Sequence, residues 1–407
     1  MTAVTRLGAL AHPPFARLVS GQLVSSVGTQ MSNTAGAWVL YRLTHSALAL
    51  GLQGLCFSAP IAVLPLLTGV LADRFSRLAL VKVTLAAEAG QAFALAGVSL
   101  AGDLRPWMLY LAAAADAGRL AVSIPAQTAL VPNVVPTVLL PSAVALSASV
   151  WSSAALAGPA VAGALLAVAG PGLVFAVNGA CTLAALGAVA SLPASEPGRR
   201  TANGTGPAEL AGGIAYLRDH RRILLLEGVL LIAMTGALGM ETLLPVFSAG
   251  TWHTGPAGYG LLRMAPGVAA VLAGLGLSMF PASRRGTRYL AIALAGAGAA
   301  MAAFAADPPF AAALFLLAGA SLCLVSTQVI AGTMVQQVIP DALRGRISAL
   351  GSAGQNGLAG LAAAAIAVLA AAVGAGRAVT GLAVITAGGG IVLALLIARA
   401  GRVGREP

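Results

Sequence analysis

Charge is what this sequence has least of. Only 9% of its 407 residues are Asp, Glu, Lys or Arg, against about 25% in ordinary soluble domains. A water-soluble surface of this size needs more, so a soluble globular protein is excluded. Acids are the scarcer sign, with 12 Asp plus Glu against 23 Lys plus Arg. Three cysteines, Cys56, Cys181 and Cys323, all sit inside apolar runs, which excludes a disulfide framework or a zinc site. The four histidines, His12, His45, His220 and His253, fall in loops or at segment ends and form no metal or catalytic set. No glycine-rich phosphate loop followed by Lys and Ser or Thr is present, which argues against ATP-driven work by this chain alone. No nucleophile–base pair or metal set marks an enzyme.

What the sequence has in excess is apolar length. Hydrophobic residues make up 58%, and they gather in runs long enough to cross a bilayer, which takes about 20 residues. Twelve segments qualify: 15–42, 46–72, 77–101, 104–131, 142–168, 170–192, 223–250, 257–281, 287–306, 309–339, 347–373 and 377–400. The longest polar stretch, 193–222, separates six segments from six. It begins with a flexible part and is expected to continue as an amphipathic helix over 208–220. This predicts an all-α membrane protein with a six-helix bundle over 1–192, a linker over 193–222 and a second six-helix bundle over 223–407. A duplicated six-helix unit is implied by segment count; no repeated sequence motif is visible.

The net charge of +11 reports topology rather than nucleic acid binding, because the basic residues lie in short loops and no basic domain stands outside the apolar runs. Arg42, Arg105 and Arg377 fall on one side, and Arg119 and Arg263 lie inside segments. All other Lys and Arg share the opposite side, which predicts a bacterial-type cytoplasmic (inner) membrane location with both termini and the central linker in the cytoplasm. Trp38, Tyr41, Trp107, Tyr110, Trp252 and Tyr259 cluster near the outer segment ends as an aromatic belt. Residues 1–14 lack an apolar core and cleavage site, so the first membrane helix is expected to act as the targeting signal.

The loop after the second segment reads Gly69-Val-Leu-Ala-Asp73-Arg74-Phe-Ser76-Arg77. It resembles the major facilitator superfamily motif Gly-x-Leu-Ala-Asp-Arg-x-Gly-Arg between helices 2 and 3. Ser76 stands where Gly is usual, and Leu78 where a further basic residue is common. Residues 15–31 resemble helix 1 of the drug and siderophore exporter branch, which includes enterobactin-type exporters and macrolide efflux pumps. Residues 338–346 resemble that branch's loop before helix 11. Ala154, Gly158, Pro159, Ala162 and Gly163 partly match the antiporter motif of helix 5, with Ala154 and Ala162 replacing glycines. The resemblance implies twelve helices in two pseudo-symmetric halves, alternating access, and helices 1, 4, 7 and 10 around a central cavity. It also implies that Gly69, Asp73, Arg74 and Arg77 form a gate. A solvated basic loop is the plainer reading of the same residues.

Charges inside apolar segments are costly and therefore candidates for function. In segment 4, Asp116, Arg119, Ser123 and Gln127 are spaced 3, 4 and 4 residues apart and share one helical face. Glu88 precedes Asp103, at the turn between segments 3 and 4, by 15 residues, and Arg119 follows it by 16. An antiparallel hairpin brings Glu88 to the depth of Arg119, predicting a Glu88–Asp116–Arg119 cluster of formal charge −1. Glu241 and Arg263 flank the next half's first turn at comparable distances and are candidates for a similar pair. Glu227, close to Arg221 and Arg222, is expected at the membrane interface. These charges fit either structural ion pairs or proton carriers. Gln22, Ser26, Thr29 and Asn33 in segment 1, with Ser123, Gln127 and Gln328, are candidates to line a substrate cavity, or else to satisfy one another between helices.

The expected function is proton-coupled export of a small amphipathic compound, such as an antibiotic, siderophore or other metabolite. The expected partners are that compound, protons and the lipid bilayer. No nucleic acid partner is expected, no cofactor beyond the proton gradient, and a monomeric chain. Alternatives are uptake or lipid movement by the same fold, or a non-transporting receptor or scaffold.

Overall fold

A computed structural model describes residues 8–64, 76–192, 220–279 and 286–403. The described residues are helical almost throughout, and no strand occurs among them. Helix is the required answer for this sequence, because hydrocarbon offers no partner for backbone N–H and C=O groups. Eight stretches are apolar and long enough to span a membrane. Large apolar side chains point outward, with Phe315 81% and Ile292 72% exposed. A surface of this kind is stable against lipid and not against water.

The helices are α1 (Pro13–Thr44), α2 (Ala47–Val63), α3 (Arg77–Leu100) and α4 (Pro106–Val134). One helical run, Leu140–Ala190, follows. It is broken at Gly170, whose φ of 75° and ψ of −179° leave the helical region for one that favours glycine. The break reverses the chain. Gly158 lies against Val27, Gln30 and Met31 of α1, while Gly28 lies against Asn178. Residues 158 and 178 would be about 30 Å apart in one straight helix, yet both meet the same turns of α1. The run therefore comprises α5 (140–169) and α6 (171–190).

The second half contains α7 (Arg221–Val246), α8 in two pieces (Gly255–Arg263 and Ala265–Met279), α9 (Gly286–Phe304), α10 (Phe310–Val338) and α11 (Asp341–Val373). Finally α12 runs from Ala375–Val384 through a wide turn at Ile385–Gly389 into Gly390–Val403. The expected order of twelve helical segments is thus present. The expected amphipathic helix over 208–220 falls, but for His220, outside the described residues.

By its contacts the chain forms two compact units. One comprises 1–43, 63–204 and 255–267, and the other 44–62, 205–254 and 268–407. Each has its own apolar core. In the first, Phe15, Leu18, Val81, Leu130 and Val189 pack together. In the second, Ile223, Leu226, Leu290, Leu324 and Ile397 do so.

The units share an internal plan that the sequence does not display. In the first, Gly21 meets Ala185 and Ala188 while Gly28 meets Asn178 and Cys181, so α1 and α6 run antiparallel. In the second, Gly228 meets Leu393 while Gly239 meets Leu382, so α7 and α12 do the same. Both pairs approach through small residues, the usual means of close helix contact in lipid.

Small residues also explain two crossings between the sequence halves. The first part of α2 groups with the second unit, where Gly51 faces Ala367, Ala62 faces Gly357 and Ser58 faces Gly360 of α11. The first piece of α8 groups with the first unit, where a Cβ on Gly163 of α5 would lie 2.8 Å from the Gly260 Cα. A Cβ on Gly267 would lie 2.5 Å from the Leu156 backbone nitrogen. Gly158 and Gly163, singled out in the sequence as part of the helix 5 pattern, are thus sites of backbone-to-backbone packing.

Candidate functional site: a buried charge cluster in the first unit

The charged residues of α3 and α4 meet inside the first unit. Arg119 Nη1 lies 2.9 Å from Glu88 Oε2, and Arg119 Nη2 lies 3.6 Å from Asp116 Oδ1. The three side chains are 10%, 2% and 15% exposed respectively. The hairpin argument brings Glu88 to Arg119, and the three-residue step in α4 places Asp116 on the same face of the guanidinium.

Two neutral side chains complete the site. The Thr29 hydroxyl of α1 donates to Glu88 Oε1 at 2.5 Å, with the Ser25 carbonyl as a second acceptor at 2.9 Å. Gln91 Nε2 of α3 donates to Asp116 Oδ1 at 3.1 Å and lies 3.3 Å from the Ala112 carbonyl oxygen. Gln91 was not among the sequence candidates. Its position three residues after Glu88, on the same face of α3, is the signal that could have found it.

The cluster is tightly paired by charge but incompletely hydrogen-bonded. Glu88 Oε2, Arg119 Nε and Arg119 Nη2 have no hydrogen-bond partner among the described residues. An Arg edge holding free N–H groups beside two carboxylates can accept water or a polar ligand group. A network left open in this way is unfavourable for stability alone.

About two turns along α1, Gln22 Nε2 donates to Gln127 Oε1 of α4 at 2.9 Å. The face Asp116–Arg119–Ser123–Gln127 therefore meets α3 at one end and α1 at the other, with Ser123 buried between them. Ser26 and Asn33 are half-buried and make no side-chain hydrogen bond among the described residues. Gln328 of α10, in the other unit, has only a 4.0 Å contact from its Nε2 to the Met234 sulfur.

The remaining candidates are placed as follows. Glu241 lies on α7 in the second unit, and Arg263 ends the first piece of α8 in the first unit. Gly69, Asp73 and Arg74 fall outside the described residues. Arg77 is the first residue of α3. Ser76, which departs from the superfamily pattern, caps that helix by accepting a hydrogen bond from the Ala79 N–H at 3.2 Å. Glu227 lies about two turns into α7. It is half-buried and accepts a 2.7 Å hydrogen bond from Gln355 of α11. No group of three or more His, Cys, Asp or Glu able to hold a metal occurs among the described residues.

The family model described as transmembrane secretion effector matches residues 4–404 of the chain. The chain belongs to this family of the major facilitator superfamily. It is therefore a multi-pass membrane transporter by family and fold. Among curated relatives, it is 26% identical over 349 residues to the enterobactin exporter EntS of Citrobacter koseri, covering 84% of this chain and 82% of that one. It is also 27% identical over 221 residues to the uncharacterized MFS-type transporter YfiS of Bacillus subtilis, covering 52% and 51% of the two chains. Among solved structures, it resembles the nucleoside transporter NupG at TM-score 0.71 and 14% identity, over 95% of this chain and 98% of that one. It resembles the D-xylose-proton symporter at TM-score 0.66 and 16% identity, over 94% and 96%. These structural likenesses establish the fold. The sequence relatives add export as the activity named for a transporter of similar length.

Proposed function

We propose that this transporter exports a small amphipathic compound in exchange for protons, from a cytoplasmic membrane with both termini in the cytoplasm. The observation that carries the coupling is the Glu88–Asp116–Arg119 cluster. It places two acids around one base, away from water and with hydrogen-bonding capacity unused. One carboxylate is in excess of what Arg119 neutralises. Burial favours the neutral form of that excess acid, and access to water favours the charged form. Alternating exposure of the cluster would let one proton bind on one side and leave on the other.

In this reading Asp116 carries the proton, because Arg119 approaches it less closely than it approaches Glu88. Thr29 holds Glu88, and Glu88 holds the guanidinium in place. Asn33, Ser26, Gln22, Ser123 and Gln127 of the first unit offer amides and hydroxyls to a ligand, and Gln328 of the second unit is a further candidate. Glu241 and Arg263 are secondary candidates for coupling. Gly69, Asp73, Arg74 and Arg77 act as the cytoplasmic gate, with Asp73 accepting charge-assisted bonds from Arg as the halves rock about a midplane site. The chain works as a monomer, with no cofactor and no enzymatic step.

Export is favoured over uptake by the enterobactin exporter relatives. The test is substrate efflux from proteoliposomes under an imposed pH gradient, with a panel of siderophores and amphipathic antibiotics. Gradient-driven efflux by the wild type and its loss in Asp116→Asn is the expected outcome. Equal gradient-driven transport in the variant overturns the coupling role of Asp116. Accumulation against the expected direction supports uptake instead.

A further inference from the structure

Glu227 is the titratable group that the mechanism above leaves unused. It lies about two turns into α7 and faces α11. Gln355 Nε2 donates to its Oε2 at 2.7 Å. One turn earlier on the same face of α11 is Gly351, where a Cβ would lie 2.8 Å from Glu227 Oε1 and 3.0 Å from Oε2. The carboxylate therefore rests on the bare backbone of α11, with an amide at its side. Any larger residue at 351 would displace it.

Among the described residues no cation is paired with Glu227. The helices packed on α7 are α10, α11 and α12. α10 carries no charged residue. On α7 itself Arg221 and Arg222 are exposed, and Glu241 lies four turns away. On α11 the charges are Asp341, Arg344 and Arg346, all in its first two turns. On α12, Arg377 and Arg399 are exposed, and Arg402 lies beyond them. In the first unit, described acids and bases pair with one another, Glu88 and Asp116 with Arg119. Like Asp116, Glu227 has an amide partner, but among the described residues it has no guanidinium.

We propose that Glu227 is a second proton-binding site, held between α7 and α11 by Gln355 and Gly351 and independent of the Glu88–Asp116–Arg119 cluster. An amide serves both states of the carboxyl. It donates to the carboxylate when the group is charged. It can accept the carboxyl O–H through its own oxygen when the group is neutral. A partly desolvated carboxyl beside an amide keeps a hydrogen-bond partner in both protonation states. Proton binding here changes the charge at the α7–α11 contact and leaves the first unit's cluster untouched.

The test is infrared difference spectroscopy of the full chain in lipid, stepped from acid to alkaline pH. A protonated carboxyl carbonyl band that titrates in the wild type is expected to be missing in Glu227→Gln. It should persist in Glu88→Gln and Asp116→Asn. Gln355→Leu should keep the band and shift its frequency, because a hydrogen bond to the group is lost; this variant also serves if Glu227→Gln does not fold. Identical titrating bands in wild type and Glu227→Gln overturn the proposal, as does a band unmoved by Gln355→Leu. The spectra need no transported compound, so their failure is distinct from failure of the efflux experiment.

Discussion

Arg119 is one cation between two carboxylates, and its removal would leave both acids buried and unpaired. Breaking a buried pair by deleting one partner costs about 3–5 kcal/mol. Arg119→Leu should therefore lower the melting temperature of the purified protein markedly. The double variant Glu88→Gln with Arg119→Leu should recover part of that loss. A thermal melt in detergent checks both. If the single and double variants melt alike, Glu88 and Arg119 are not coupled in stability. Ser76 offers a milder test at the same scale. An N-cap serine replaced by alanine loses about 1 kcal/mol, while replacement by glycine loses only a few tenths. Ser76→Ala should speed amide exchange in the first turn of α3, over residues 77–80. Ser76→Gly, which restores the superfamily pattern, should leave exchange there nearly unchanged. Hydrogen exchange read by mass spectrometry distinguishes the two.

At the scale of helices, the glycines separate into those that touch a neighbour's backbone and those that do not. Gly163 of α5 meets the first piece of α8 and Gly267, in the second piece, meets α5, and a Cβ at either would meet main-chain atoms within 3 Å. Overpacking a fitted contact costs about 1–3 kcal/mol, so Gly163→Ala and Gly267→Ala should each lower the melting temperature by several degrees. Gly97 and Gly187 lie in the last turns of α3 and α6, and a Cβ there would meet nothing within 4 Å. Alanine there should be neutral or stabilising by up to about 1 kcal/mol, through helix propensity and a stiffer unfolded chain. Equal effects at all four positions would refute the close-packing reading of α5 and α8. The aromatic belt belongs to this scale as well. Trp38 stacks on Tyr259 at 5.6 Å, and Trp252 packs among Phe247, Phe304 and Phe310 while its indole N–H donates to the Pro308 carbonyl oxygen at 2.8 Å. Residues read from the sequence as interface anchors are also structural clasps at helix ends.

For the whole molecule, the asymmetry of Lys and Arg gives an expectation about orientation that labelling can decide. In a background lacking Cys56, Cys181 and Cys323, Arg222→Cys should react with a membrane-impermeant maleimide only after the cell is opened. Arg105→Cys should react from outside in intact cells. The reverse pattern would invert the chain in the membrane and, with it, the sense of the proposed export.

Much of this protein was legible before any coordinates. Low charge and long apolar runs allow only a helical membrane protein, because unpaired backbone groups cannot face hydrocarbon. The break at Gly170 lies where the apolar pattern places a turn between 168 and 170. The Glu88–Arg119 pairing follows from counting residues on either side of one turn, since a helix has a fixed rise per residue. The loop from Gly69 to Arg77 carries the superfamily in its residue types. Tertiary structure alone decided the rest. Gln91 and Gln355 are unremarkable amides in one dimension and become partners of carboxylates only when α3 meets α4 and α7 meets α11. Glu227, read beside the arginines that precede it in the chain, turns instead to a glycine more than a hundred residues away. The grouping of α2 with α11 and of α5 with α8 is invisible to segment counting, because composition records that a residue is small but not which backbone comes close enough to need it.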